Sequence, residues 1–403
     1  MNSEDSIGII ELGSTSLKCL ISKINNDNNS EILSATTTPS DGIYNDVVMN
    51  LKKASDSIRL AISTAEKKAK VSLKKINVIF EQPDFLCTRF SKHKKIDDSK
   101  IHRSDIEFLL NEAKKQLILN DKNQSIIHIF NHNYIVDGKI FIEEPINVFA
   151  DTLTHEMTFI TVPKNNLRNI NQIFLNCDIE IERLISKTFA LGVELFNESE
   201  LQSGVVLANL ESKKTSLGIF KNLALVHSIT FPIGIDHITN DVSKVCSLNL
   251  EESLAIRDNT DFSFKNNQSL FDENNLLKKS FFIDSKFRKI SEDLICKVIK
   301  ARIDEILEVI KKQLKLIRFN FNSGMSFFLI GKGSNLINIQ EYCQNFFELN
   351  NIKDKKDDLE KNFLACQGGI RIIKEGWETE AIPEIKIKGI EKVGFLRKIF
   401  GNF

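Results

Sequence analysis

Two short apolar runs open the chain. Ile7, Ile9, Ile10 and Leu12 lie in the first, Leu17, Leu20 and Ile21 in the second, and Gly13-Ser14-Thr15-Ser16 separates them. Apolar runs on either side of a small-residue turn predict a β-hairpin. Over residues 46–70 the apolar positions change period: Val47, Val48, Leu51, Ile58, Ala61, Ile62 and Ala65 follow helical spacing. Residues 76–80 then read as a strand, and this order predicts α/β layering.

The pattern shifts over residues 81–160. A basic cluster (Lys92, His93, Lys94, Lys95), read as a solvated loop, precedes a predicted helix at 105–117 and strands near 126–130, 134–136 and 157–162. This is the pattern of a small α+β insert. A helix at 164–176 and a strand at 179–185 lead to a second strand, turn and strand at 204–210, 211–215 and 216–220. Strand–turn–strand occurring twice, about a lobe apart, suggests an internal duplication. The polar stretch 258–280 reads as a mobile loop. A long amphipathic helix follows, with Leu294, Ile295, Val298, Ile299, Ile306, Leu307, Ile310, Leu314 and Ile317 on one stripe. A strand at 325–330 runs into Gly331-Lys332-Gly333-Ser334, and a helix is predicted near 363–374.

Composition narrows the function classes. A chain of 403 residues suggests two lobes or several subdomains. Lysine plus arginine (54) balance aspartate plus glutamate (54), so no overall field draws the chain to nucleic acid. The seven cysteines form no C-x-x-C pair and read as reduced thiols of a cytosolic protein. The acidic, polar start lacks the order of a signal peptide, and no apolar run reaches spanning length. His128 and His132 are four apart, but in apparent strand and turn, so no metal site is expected of them.

The end of the chain has its own chemistry. After a polar, proline-containing linker at 377–388, Val393, Leu396, Ile399, Phe400 and Phe403 fall on one helical face. Arg397 flanks that face, Lys398 lies opposite, and Phe395 completes the expected lipid-contacting set. Apolar and aromatic residues beside cations describe an interfacial helix on anionic lipid. Packing of the same helix on the protein's own core or on a partner is the other reading.

Taken together, I-G-I-I-E-L-G-S-T-S-L-K, the stretch 42–78, the insert, the segment V-I-K-A-R-I-D-E-I-L at 298–307 and the amphipathic end resemble the FtsA family. These proteins are actin-like and tie FtsZ filaments to the membrane. The resemblance implies a two-lobed actin/Hsp70/hexokinase-type ATPase fold with the family's own α+β insert and a C-terminal amphipathic helix. It implies subdomain 1A at 1–80 and 161–197, subdomain 1C at 81–160, 2A at 198–238 and 319–376, 2B at 239–318, the linker at 377–388 and a membrane-targeting helix at 389–403.

The same resemblance places ATP between two turns. Gly13, Ser14 and Thr15 would donate to phosphate, Lys18 would supply charge, and Glu11 would orient water on Mg²⁺. Read without the family, this is an ordinary hairpin turn. In the second turn Asn209 stands for an aspartate, and Glu211, Ser212 and Lys213 replace a glycine run. Lys213 and Lys214 are then the candidate phosphate contacts, with a solvated turn as the alternative. Gly234, Arg257, Gly331, Gly333, Ser334 and Gly369 complete the implied nucleotide set, and Arg302 the implied groove for the FtsZ tail. The expectation is a non-enzymatic, filament-forming scaffold on the cytoplasmic face of the membrane at the septum. Its partners would be FtsZ, itself, anionic lipid and, through 81–160, other division proteins. Efficient hydrolysis is not expected, because the carboxylates that position metal and water are largely replaced. A nucleotide-free relative and an ATP-dependent small-molecule kinase are the alternatives.

Overall fold

The computed structural model describes residues 6–24, 30–265, 267–317, 325–349, 352–354 and 363–381. The chain forms two compact units, one of residues 1–204, 218–229 and 363–403, the other of 205–217 and 230–362.

The opening hairpin forms as expected. Strands Ser6–Glu11 and Ser16–Ile24 pair antiparallel, with Glu11 opposite Lys18 and Ile10 opposite Cys19. Ser30–Pro39 extends the sheet on one side, while Lys75–Phe80 and Glu180–Ser186 add parallel strands on the other. Burial on both faces explains the near-continuous apolar run of Lys75–Phe80, where only Lys75 is exposed. The second five-stranded sheet has the same plan. Its order is Ala224–Phe231, Thr215–Lys221, Val205–Leu210, Ser326–Ile330, Ile352–Asp354: three sequential strands, then two reached by crossovers. The predicted duplication is therefore real at the level of topology, with Ala224–Phe231 and Ile352–Asp354 as strands the sequence did not disclose.

Several boundaries moved for identifiable reasons. The first helix is Leu51–Ala69 and excludes Val47 and Val48. Those residues pair with Ile43–Tyr44 across Asn45 and Asp46, both at positive φ (47° and 61°), a two-residue hairpin turn. Asn50 then caps the helix, its side chain accepting from Lys53 N–H. The stretch 258–280, expected to be a mobile loop, packs inward through Phe262, Leu270, Phe271 and Leu277, all buried. The long helix Glu292–Leu316 buries Ile295, Ile299, Ile303, Ile306, Leu307, Ile310 and Leu314. Of the predicted stripe, Leu294 is exposed and Val298 and Ile317 are only half-buried, while Ile303 joins it.

The insert is a four-stranded sheet in the order Leu86–Lys100, Phe149–Pro163, Gln124–Val136, Lys139–Phe141, with the helix Arg103–Asn120 packed on it. Its core includes Ile96, Ile101, Leu109, Tyr134 and Leu153, and a second cluster gathers Phe90, Leu117, Ile129 and Phe159. The expected strands 126–130 and 134–136 are one strand, and Asp137-Gly138 at positive φ turns it back. The basic cluster is not a loop. Lys92 to Lys95 lie inside the strand Leu86–Lys100, opposite His155 to Thr152. Alternation turns half-buried Lys92 and Lys94 toward Gln116 and Asp105 of the helix Arg103–Asn120 and leaves His93 and Lys95 exposed. Lys94 reaches Asp105 at 2.5 Å.

Candidate functional site

The expected site residues fall into two groups, one in each unit. In the first unit the turn after Ser6–Glu11 is tight: a Cβ on Gly13 would stand 2.6 Å from the carbonyl oxygen of Ser16. Leu12 N–H donates to Ile79 O (2.9 Å), which ties the turn to the neighbouring strand end. Ser14 is already engaged, its hydroxyl accepting from Asn45 N–H at 2.7 Å, while Thr15 is exposed. Both oxygens of the buried Glu11 carboxylate face lysines. Lys187 Nζ lies 2.7 Å from Oε1 and Lys18 Nζ 3.8 Å from Oε2.

Sequence reading missed Lys187. It follows the carboxyl end of Glu180–Ser186 and opens the helix Lys187–Leu195. Parallel pairing brings that strand end and the Glu11 end to the same edge of the sheet, where open α/β sheets place their ligands. The junction is firmly held. Ser186 Oγ accepts from Phe189 N–H, and buried Glu81 accepts from both Ser186 Oγ (2.9 Å) and Thr188 N–H (2.8 Å). Cys366 lies close enough to feel Glu11, Lys18 and Lys187, and burial pushes its thiol well above the ordinary value. Gly369 serves packing: a Cβ there would meet Ile79 and Ile9 at 2.9 and 3.0 Å, so glycine lets the helix Leu364–Glu375 settle on the sheet.

In the second unit the candidates do converge. The turn after Val205–Leu210 closes with Glu211 N–H donating to Lys214 O (3.0 Å), and Asn209 Nδ2 donates to Glu211 Oε1 (3.2 Å). Gly234 lies against this turn; a Cβ would stand 2.4 Å from Glu211 O and 2.6 Å from Ser212 O. Ile235 and Asp236 N–H donate to those two carbonyls (3.0 and 2.8 Å). Gly331, at φ 83°, approaches Asn209 so closely that a Cβ would fall 2.4 Å from its Oδ1. Gly333 packs on Leu210, and buried Ser334 donates N–H and Oγ to Gly331 O. Arg257 is buried and committed within the fold, with Thr239 Oγ1 at 3.0 Å, Asp236 Oδ1 at 3.2 Å and Asp258 Oδ1 at 2.8 Å. Lys214 is buried with Nζ 3.9 Å from Glu211 Oε2.

Arg302, the implied FtsZ contact, pairs with Asp241 and Glu305 and keeps about a quarter of its side chain exposed (25%). The eight tail residues from Val393 to Phe403 lie outside the described residues. Residues 377–381, expected to begin a linker, are packed instead. Ala381 N–H donates to Ile129 O (2.9 Å) and Asn131 N–H to Thr379 O (2.7 Å), so this strap bridges to the insert strand Gln124–Val136. Trp377 Nε1 and Thr379 Oγ1 both donate to Leu223 O. No described helix is long and apolar enough to cross a membrane.

Residues 86–161 match the family described as the SHS2 domain inserted in FTSA. The chain is 21% identical over 354 residues to cell division protein FtsA of Agrobacterium fabrum, covering 85% of this chain and 80% of that protein. Among solved structures it is similar to the PilM-PilN type IV pilus biogenesis complex (TM-score 0.59, 10% identity, 92% of this chain and 97% of that one). It is also similar to MreB5 of Spiroplasma citri bound to ADP (TM-score 0.50, 13% identity, 93% and 98%). At such identities the structural likeness establishes the actin-like fold and nothing finer. With an insert that matches the SHS2 domain of FtsA set into an actin-like fold, the chain is similar to cell division protein FtsA over most of its length.

Proposed function

We propose that this protein is an actin-like cell-division scaffold that assembles with itself on the cytoplasmic face of the membrane at the septum and anchors FtsZ filaments there. The observation that carries the reading is the FtsA-type SHS2 insert within an actin-like fold. In this reading Val393, Phe395, Leu396, Ile399, Phe400 and Phe403 enter the headgroup region, with Arg397 and Lys398 meeting anionic lipid. One such helix binds weakly, and assembled copies bind firmly through avidity. Arg302 contributes to an acidic-peptide groove, and the insert recruits later division proteins. The role is non-enzymatic, with ATP as a candidate ligand in place of a substrate.

The test is co-sedimentation with anionic liposomes. Full-length protein pellets with the vesicles, and a chain ending at Lys388 stays in the supernatant. Equal pelleting of the two removes the membrane reading. A second reading, a relative that works without nucleotide, is favoured by one observation: the N–H groups of Ile235 and Asp236 are taken up by the Glu211 and Ser212 carbonyls. Calorimetric titration with ATP separates the two.

A further inference from the structure

The Glu11 carboxylate is where an actin-like site would hold the water shell of a divalent cation, and in this chain a lysine from a distant segment already stands there. We propose that Lys187 takes the place of the divalent cation, so that nucleotide held at the first turn is bound without Mg²⁺. The inference rests on reading the Glu11 turn as the first phosphate loop, and it replaces the Mg²⁺ expected from the family resemblance.

Two observations carry it. Each oxygen of the buried carboxylate faces its own ammonium, Lys187 on Oε1 at 2.7 Å and Lys18 on Oε2 at 3.8 Å. A dication brought to Glu11 would meet two like charges in a poorly solvated place, where repulsion is least screened. The Lys187 backbone is also fixed, because Ser186 caps its helix and Glu81 binds Thr188 N–H and the Ser186 hydroxyl. The ammonium is therefore presented by a rigid strand–helix junction and does not swing in on a loose chain.

The experiment uses the full-length protein, its Lys187→Met and Glu11→Gln variants and the double variant. Thermal midpoints are measured in MgCl₂ and in EDTA, each with and without ATP. The expected wild-type midpoint does not move between MgCl₂ and EDTA in either series. Lys187→Met removes the ammonium from Oε1 and acquires a midpoint that Mg²⁺ raises, and adding Glu11→Gln abolishes that response. A wild-type midpoint raised by Mg²⁺ and returned to its EDTA value by Glu11→Gln overturns the proposal. A folded Lys187→Met protein without a Mg²⁺ response overturns it equally. Should Lys187→Met fail to fold, wild type against Glu11→Gln decides the question alone. None of these outcomes bears on liposome binding, so this inference and the scaffold reading stand or fall separately.

Discussion

Glu380, five residues beyond the helix Leu364–Glu375, holds Nδ1 of His128 in the middle of an insert strand at 2.6 Å. Ser186 N–H donates to the other ring nitrogen, Nε2, at 2.9 Å, so the imidazole is the Nδ1–H tautomer and donates to the carboxylate. Arg183 binds the second carboxylate oxygen. Burial alone would raise the Glu380 carboxyl; the Arg183 charge and His128 outweigh it and hold the group at about 2. The strap that leads to the tail is thus pinned to the insert by a buried charge with every oxygen engaged.

Glu380→Ala leaves Arg183 without its partner and His128 without an acceptor. Removing one member of a buried pair costs about 3–5 kcal/mol. Urea unfolding should report a loss of that size, and limited proteolysis should open new cleavage sites in residues 377–381. Unchanged stability and protection would show that the strap is held by Trp377 and Thr379 alone.

Acid should weaken the first unit before it reaches the carboxylate range. Burial depresses His132 to about 4, His155 to about 3 and His227 to about 4. Between about pH 6.5 and about 4 the unfolded chain takes up protons that the folded chain refuses, so stability falls as pH falls, by up to ~1.4 kcal/mol per unit for each histidine. Glu380, held low, adds a loss that begins below its unfolded value near 4.5 and runs toward about 2. Thermal midpoints across this range check the sign, and replacing His155 by Phe should flatten the upper part of the curve.

Gly368 and Gly192 test close packing. A Cβ on Gly368 would lie 2.0 Å from the Ala190 carbonyl oxygen, where the helix Leu364–Glu375 meets Lys187–Leu195. A Cβ on Gly192 would lie 2.1 Å from the Phe220 ring. Each alanine substitution should destabilise by about 1–3 kcal/mol or more, with Gly368→Ala the worse because backbone cannot turn aside. Gly138→Ala is the control. Its Cβ meets nothing within 4 Å, so only the strain of φ 79° remains.

Arg302 and Asp241 provide the test of partner binding. Their pairing raises the Arg302 pKa, chiefly through the hydrogen bond to Asp241. Asp241→Asn should release the guanidinium and strengthen binding of an FtsZ C-terminal peptide, while Arg302→Glu should weaken it by about tenfold or more. Peptide anisotropy on the full-length protein measures both. If the two variants bind as wild type, the groove lies elsewhere.

Much of this architecture was written in local pattern. The hairpin at Glu11, the stripe of Glu292–Leu316 and the repeated strand–turn–strand follow from side-chain periodicity and turn chemistry, which act over a few residues. Asn45 and Asp46 were legible too, as a two-residue turn, but the helical run around them masked the signal. The convergence of Asn209, Gly234, Arg257 and Gly331 in the second unit required the fold, although each residue had been singled out.

The pairings that give the site its chemistry were not local at all. Lys187 meets Glu11 only because a parallel sheet sets Glu180–Ser186 two strands from Ser6–Glu11, and nothing within either segment specifies that neighbour. Glu380 likewise reads as one acid in a polar, proline-containing stretch until the sheet of the insert supplies His128. Periodicity is a property of one segment and survives in the sequence. An ion pair across the chain depends on strand order, and strand order is decided when the segments bury their apolar faces together.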